Sequence, residues 1–506
     1  MSLKAPFHTF EMATPPGRSP VLYGLLPVTG FFILYFLLSL QPSIPTTPIL
    51  GDPNSQTEWN NVNRPPPEIF IPAGSKSIKL LIFSDLHFGE DESTFGPEQD
   101  RNTLRVMRQT LAFESPDLVV IDGDLITGEN TFVENATSYV DMLAQPMLAR
   151  GVPWASVYGN HDESAGLERE KILGREMEVG AGLCLTRNMA GGDGIGVTNY
   201  YVLVKGEDGK PVAVLWFFDS RGGQRFGDGE DVPMFVHPET VRWFERTRDG
   251  LEERYGPMQS LAFVHVPPSV FSRAQRIFAE NGRKSRRESE TEKRTPKSTR
   301  YPGLNDDDPI DHQSAPQDGP FVDALQNTPW LHSVYSGHDH GDTWCVPWPD
   351  DSDSKQRRHD EEEADDARPT IDMTGTTRPT KPVLCFAKHT GYGGYGEWNR
   401  GARVLNLRFH PWAHDHEDGR DASGDNKALA DVSASGHIME MHAHHQDSHR
   451  ERHRKRHRQK FPDVEMEVET WIRIEDGRVV QRVGLNGTYS EDQYPSETGE
   501  ERADQV

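Results

Sequence analysis

An α/β domain is what this sequence predicts, on two observations. From about residue 78 onward, short apolar runs alternate with segments of helical spacing, as in βαβ units. In five places a cluster of metal-ligating residue types stands where such a run gives way to a loop. Ile78–Ser84, Leu118–Ile121 and Trp154–Tyr158 read as strands, each closed by a polar or glycine-rich turn. Helices are expected between them, over Asn102–Phe113 and Thr137–Arg150. Further strands are expected at Tyr200–Val204, Val212–Phe218, Leu261–His265, Leu331–Ser336, Val383–Lys388 and Val404–Phe409. Asp463–Arg482 reads as a terminal hairpin turning at Asp476-Gly477.

The rest of the chain is organised around this domain, expected over 76–490. Val21–Leu40 carries no charge, and twenty residues at about 1.5 Å each match a hydrocarbon core of roughly 30 Å. It reads as a signal anchor, with a cleavable signal peptide as the rival. Lys4 and Arg18 precede it, which places residues 1–20 in the cytosol. The expectation is a single-pass type II membrane protein with a lumenal or extracellular catalytic domain, or a secreted one if the segment is cleaved. The sequons at Asn135 and Asn486 are compatible with a glycoprotein on that side. Residues 41–75, rich in Pro, Ser, Thr and Asn, read as a stalk, and 491–506 as an acidic tail. Three polar tracts, at about 281–317, 350–368 and 413–460, lack the apolar content to offset ordering and are expected to be disordered inserts. The last holds nine of the 21 histidines, and a solvated low-complexity tract is preferred there to a metal-buffering one.

A formal charge of −25 argues against nucleic acid as a partner. Three cysteines are too few for a disulfide scaffold and lack zinc-finger spacing. Cys345–Cys385 is the favoured bridge, because both flank regions placed near the site; three unpaired buried thiols are the alternative.

The five clusters carry the chemistry. They are Asp85-x-His87, Gly123-Asp124, Gly159-Asn160-His161-Asp162, His265, and Gly337-His338-x-His340. Residues two apart on an extended chain point the same way, so Asp85 and His87 can grip one ion; His338 and His340 again sit two apart. Each pair arises often by chance. Five together, in this order and each behind an apolar run, are hard to attribute to accident.

In that order they resemble the calcineurin-like metallophosphoesterase superfamily, and most closely the purple-acid-phosphatase-like group of fungi and plants. Phe218-Asp219-Ser220, Val241–Phe244 opening a helix, and His389-Thr-Gly-Tyr-Gly-Gly-Tyr-Gly before Arg400-Gly-Ala-Arg403 support the narrower match. The resemblance implies a four-layer α/β/β/α sandwich with metals at the strand ends. One ion would be held by Asp85, His87, Asp124 and His340, the other by Asp124, Asn160, His265 and His338, with Asp124 bridging. The donor set suits two divalent or mixed-valence ions, Fe, Zn or Mn. The implied activity is hydrolysis of a phosphate ester by a hydroxide held between the ions. A phosphomonoesterase acting on phosphoproteins or small esters is expected, with a phosphodiesterase or an inactive scaffold as alternatives. His161 would protonate the leaving group or stabilise the transition state, and Asp162 would orient its ring. Tyr392 and Tyr395 would wall the substrate cleft, unless their segment is only a turning loop. Purple enzymes have a tyrosine ligand where this chain has Thr127, and lack a counterpart of His87, so a purple Fe(III)–phenolate centre is not expected.

Overall fold

A computed structural model describes residues 65–180, 182–279, 298–307, 317–349, 381–411 and 462–495. In chain order its elements are β1 (Glu68–Phe70), β2 (Ser77–Phe83), α1 (Gly96–Glu114), β3 (Leu118–Asp122), α2 (Val133–Leu148), β4 (Trp154–Val157) and α3 (Arg169–Gly180). Then come β5 (Tyr200–Lys205), β6 (Pro211–Phe218), α4 (Pro238–Tyr255), β7 (Gln259–Val264), α5 (270–279), β8 (Ser298–Thr299) and α6 (Gly319–Gln326). The last are β9 (Leu331–Ser336), β10 (Cys345–Pro347), β11 (Val383–Phe386), β12 (Gly401–Pro411), β13 (Val464–Ile474), β14 (Val479–Gly484) and β15 (Tyr494–Pro495).

These strands form two large sheets. One runs β1-β5-β6-β7-β9-β11-β10, the other β14-β13-β12-β2-β3-β4, and β8 pairs with β15 separately. The pairs β2–β3, β3–β4, β6–β7, β7–β9 and β9–β11 are parallel, so their C-terminal ends emerge on one side. Alternation along β2 sorts its side chains. Leu81 and Phe83 pack with Leu104, Met107 and Leu111 of α1 and Val140, Leu143 and Met147 of α2. Leu80 and Ile82 face the other way, into a core shared with Leu215, Phe217 and Phe263 of the second sheet. On that sheet's far face, Trp216 and Phe218 meet Phe244 of α4 edge-on, at 4.8 and 5.0 Å. Burial of each such side chain stabilises by about 1.5–3 kcal/mol. Two sheets flanked by helices are thus the expected sandwich, because every strand buried on both faces needs a partner layer on each.

β10 pairs antiparallel with β11, setting Cys345 opposite Cys385, and the two form a disulfide. Cys184 is buried and free. The region expected to be a stalk ends in structure: β1 adds to the edge of β5, Glu68 opposite Leu203.

The membrane expectation is corrected. No helix among the described residues is long and apolar enough to cross a membrane, so the type II topology and the membrane partner are not carried forward. Val21–Leu40 itself lies outside the described residues, as do 350–368, 413–460 and most of 281–317; of the last, 298–307 is described and pairs through β8 with β15, contrary to the expected disorder.

Candidate metal centre

The parallel strands deliver the ligand candidates to one place. Asp85 and His87 follow β2, Asp124 follows β3 and Asn160 follows β4; from the second sheet, His265 follows β7, and His338 and His340 follow β9. The side chains gather into two groups, Asp85–His87–His340 and Asp124–His265–His338, and within each the donor atoms lie within 4.8 Å of one another. Asp124 stands between them, its Oδ2 3.0 Å from His265 Nε2 and 3.7 Å from His87 Nε2.

The backbone is bent to achieve this. Asp85, His87, Asp124 and His338 have φ of 55, 47, 48 and 73°, a left-handed conformation costing about 1–2 kcal/mol per non-glycine residue. The loops after β2 and β3 hold the strain by continuing to pair: Asp85 N donates to Gly123 O and His87 N to Asp124 O. Two glycines admit the close approach. A Cβ on Gly123 would lie 2.1 Å from His265 Nδ1, and one on Gly159 would lie 2.2 Å from Asp124 Oδ1.

Hydrogen bonds on the outer side aim the imidazoles inward. His265 Nδ1 donates to Asp122 O at 2.7 Å, and His340 Nδ1 to Tyr395 O at 2.8 Å. The Nε2 atoms therefore face the centre, where they would offer lone pairs to a bound ion. Buried His87 Nε2 and Asn160 Oδ1 have no hydrogen-bond partner, and His265 Nε2 has only Asp124 Oδ2, 3.0 Å away. Leaving such a group unsatisfied costs about 1–3 kcal/mol, and two at one point are explained if they are metal ligands.

The electrostatics agree. Burial would raise the Asp85 pKa, but His340 and then His265 outweigh it and hold it down at about 2. Burial likewise opposes ionisation of Asp124, yet His265 and His161 hold it well below its ordinary value. Burial pushes His87 down to about 3 and, with His265 adding, His338 to about 4, which keeps both neutral and able to coordinate. Two ionised buried carboxylates call for positive charge beside them: against its burial, Asp124 lifts His265 to about 10, so a proton supplies that charge, and divalent ions would take its place. The residues present thus form a dinuclear metal site.

Around this centre two expectations change. His161 N donates to Asp124 Oδ1 at 2.8 Å and its ring lies 5.0 Å from that of His87, so it sits at the rim. Its ring is oriented not by Asp162 but by Glu129, whose Oε1 lies 2.7 Å from His161 Nδ1. Burial would lower the His161 pKa, but Asp124 and the Glu129 hydrogen bond lift it to about 9. Asp162 instead accepts the backbone N–H groups of Leu125, Ile126 and Gly159, locking the Asp124 and Asn160 loops together. Tyr392 is turned to α1 and the terminal hairpin, its hydroxyl bonded to Arg105 and Glu475. Tyr395 is at the centre: half exposed, it stacks on His340 at 4.0 Å and its hydroxyl accepts from His340 N. Glu129 carried no signal of its own in the sequence, nor did Arg169, which is buried and donates to Glu163, Asp219 and Gly159 O behind the Asn160 loop.

Residues 78–347 match the calcineurin-like phosphoesterase family. The probable inactive purple acid phosphatase 14 of Arabidopsis thaliana is 25% identical, over 66% of this chain and 75% of its own length. The probable inactive purple acid phosphatase 28 of the same plant is 30% identical over 38% of this chain and 53% of its own. Phosphatase DCR2 of Saccharomyces cerevisiae is 28% identical over 38% and 34% respectively.

Proposed function

The chain belongs to the calcineurin-like phosphoesterase family, and we propose that it hydrolyses phosphate monoesters at its two-metal centre. The observation that carries this reading is the pair of Asp/His clusters, with Asp124 Oδ2 of one 3.7 Å from His87 Nε2 of the other and His161 beside them. When bound, a pair of divalent ions acidifies a water and polarises the phosphoryl oxygens. Asp85, His87 and His340 would hold one ion and Asp124, His265, His338 and Asn160 the other. His161, its Nδ1 engaged by Glu129, keeps Nε2 for the leaving oxygen. A proton delivered there is worth typically ~10²–10⁴-fold in rate. Tyr395, stacked on His340 and half exposed, offers an aromatic wall to the ester's organic group.

A second reading is an inactive scaffold, favoured by the names of the two plant relatives. Against it, the seven ligand candidates are all present, and His87 Nε2 and Asn160 Oδ1 are buried without another partner. The test is turnover of p-nitrophenyl phosphate and bis-p-nitrophenyl phosphate by the full chain and its Asp124→Asn form. Higher kcat/KM on the monoester, lost in Asp124→Asn, supports the proposal. Higher kcat/KM on the diester replaces it with a phosphodiesterase, and two bound ions with turnover of neither ester favours the scaffold.

A further inference from the structure

Taking the two-metal reading as given, we infer that Thr127 and Glu90 form a hydroxyl-bridged relay that orients His87 and sets how tightly the Asp85–His87–His340 ion is held. His87 Nδ1 lies 3.3 Å from Thr127 Oγ1, and Thr127 Oγ1 donates to Glu90 Oε2 at 2.6 Å. The direct separation of His87 Nδ1 and Glu90 Oε2 is 3.9 Å, so the hydroxyl is what joins them. Proton counting fixes the direction. A carboxylate only accepts, so the single Thr127 hydroxyl proton points to Glu90, and the hydroxyl oxygen can only accept from His87. His87 is thereby held with its proton on Nδ1 and its lone pair on Nε2, the buried atom that lacks a partner.

The relay is unlike the other outward contacts of the centre. His265 and His340 each donate to a backbone carbonyl, which no substitution at the acceptor removes. Only His87, among the three, depends on two side chains, and an imidazole whose far nitrogen donates toward a carboxylate is a stronger ligand. Glu90 ties in a third loop as well, since its Oε2 also accepts Gly394 N at 3.3 Å. A Cβ on Gly394 would lie 2.5 Å from His340 Cε1 and 2.9 Å from His87 Cδ2, so this loop closes directly over the same cluster. Thr127 and Glu90 are positioning residues: neither belongs to the ligand set, and both act through His87.

The test is metal binding by the full chain and its Thr127→Val, Thr127→Ser and Glu90→Gln forms. Metal content is read by elemental analysis after dialysis, and affinity by cobalt(II) titration followed in the visible spectrum. The wild type and Thr127→Ser should hold both ions. Thr127→Val and Glu90→Gln should bind one ion about 10–100-fold more weakly, with the other unchanged. Should Thr127→Val fail to fold, Glu90→Gln, which keeps the shape and removes the carboxylate charge behind the hydroxyl, carries the same prediction. Both variants binding two ions with wild-type affinity and spectrum overturns the relay and leaves the two-metal reading standing. A wild-type chain that takes up no ion overturns both.

Discussion

The two sheets contribute to the metal centre in different ways. Loops after β2, β3 and β4 bring both carboxylates and the amide, whereas those after β7 and β9 bring only imidazoles. On the first side three ligand candidates sit at positive φ, and the carboxylates are gripped by amides: Asp85 Oδ1 accepts His338 N, and Asp124 Oδ1 accepts His161 N. On the second side only His338 is strained, and His265 and His340 are aimed by one carbonyl each. The strain is shared by both carboxylates and by His87 and His338, so it follows the tight turns after β2, β3 and β9, whereas His265 and His340 reach the centre from unstrained backbone.

That contrast ranks the substitutions. Asp124→Asn, on the anionic side and facing both clusters, should abolish turnover and reduce both bound ions, as read by assay and elemental analysis. Retention of both ions would mean that Asp124 does not bridge. His340→Ala, on the imidazole side, should lose one ion and keep the other; loss of both would erase the distinction between the halves. His161→Ala should keep both ions and lower kcat by ~10²–10⁴-fold. If metal content falls instead, His161 is a structural part of the Asn160 loop rather than an acid. Deleting residues 413–460 should leave metal content and kcat/KM near wild type, because none of the ligand candidates lies there. A large loss would return the histidine-rich tract to consideration.

The ligand candidates of both halves were legible in the sequence. Asp85-x-His87, Gly123-Asp124 and His338-x-His340 each fit within a few residues after an apolar run, so local spacing was enough to find them. The supporting contacts were not local. Asp162 reads as a partner for its neighbour His161, yet it accepts the amide of Leu125, 37 positions away, while His161 is met by Glu129 from 32 positions away. Both pairings depend on β3 and β4 lying side by side in parallel, which adjacency in sequence does not encode. Tyr392 and Tyr395 look equivalent in a glycine-rich run. Only the course of the loop sends one to Arg105 and Glu475 and the other onto His340. β1 was missed because a three-residue edge strand next to Pro65-Pro66-Pro67 has too little pattern to show.

The most direct test of the two-cluster centre is anomalous diffraction from crystals of the full chain, collected at the absorption edge of the metal that elemental analysis identifies. Two peaks are expected, one bounded by Asp85, His87 and His340 and the other by Asp124, His265 and His338, each within ligand distance of Asp124. A single peak, or none at either cluster in a chain that hydrolyses phosphate esters, would contradict the account.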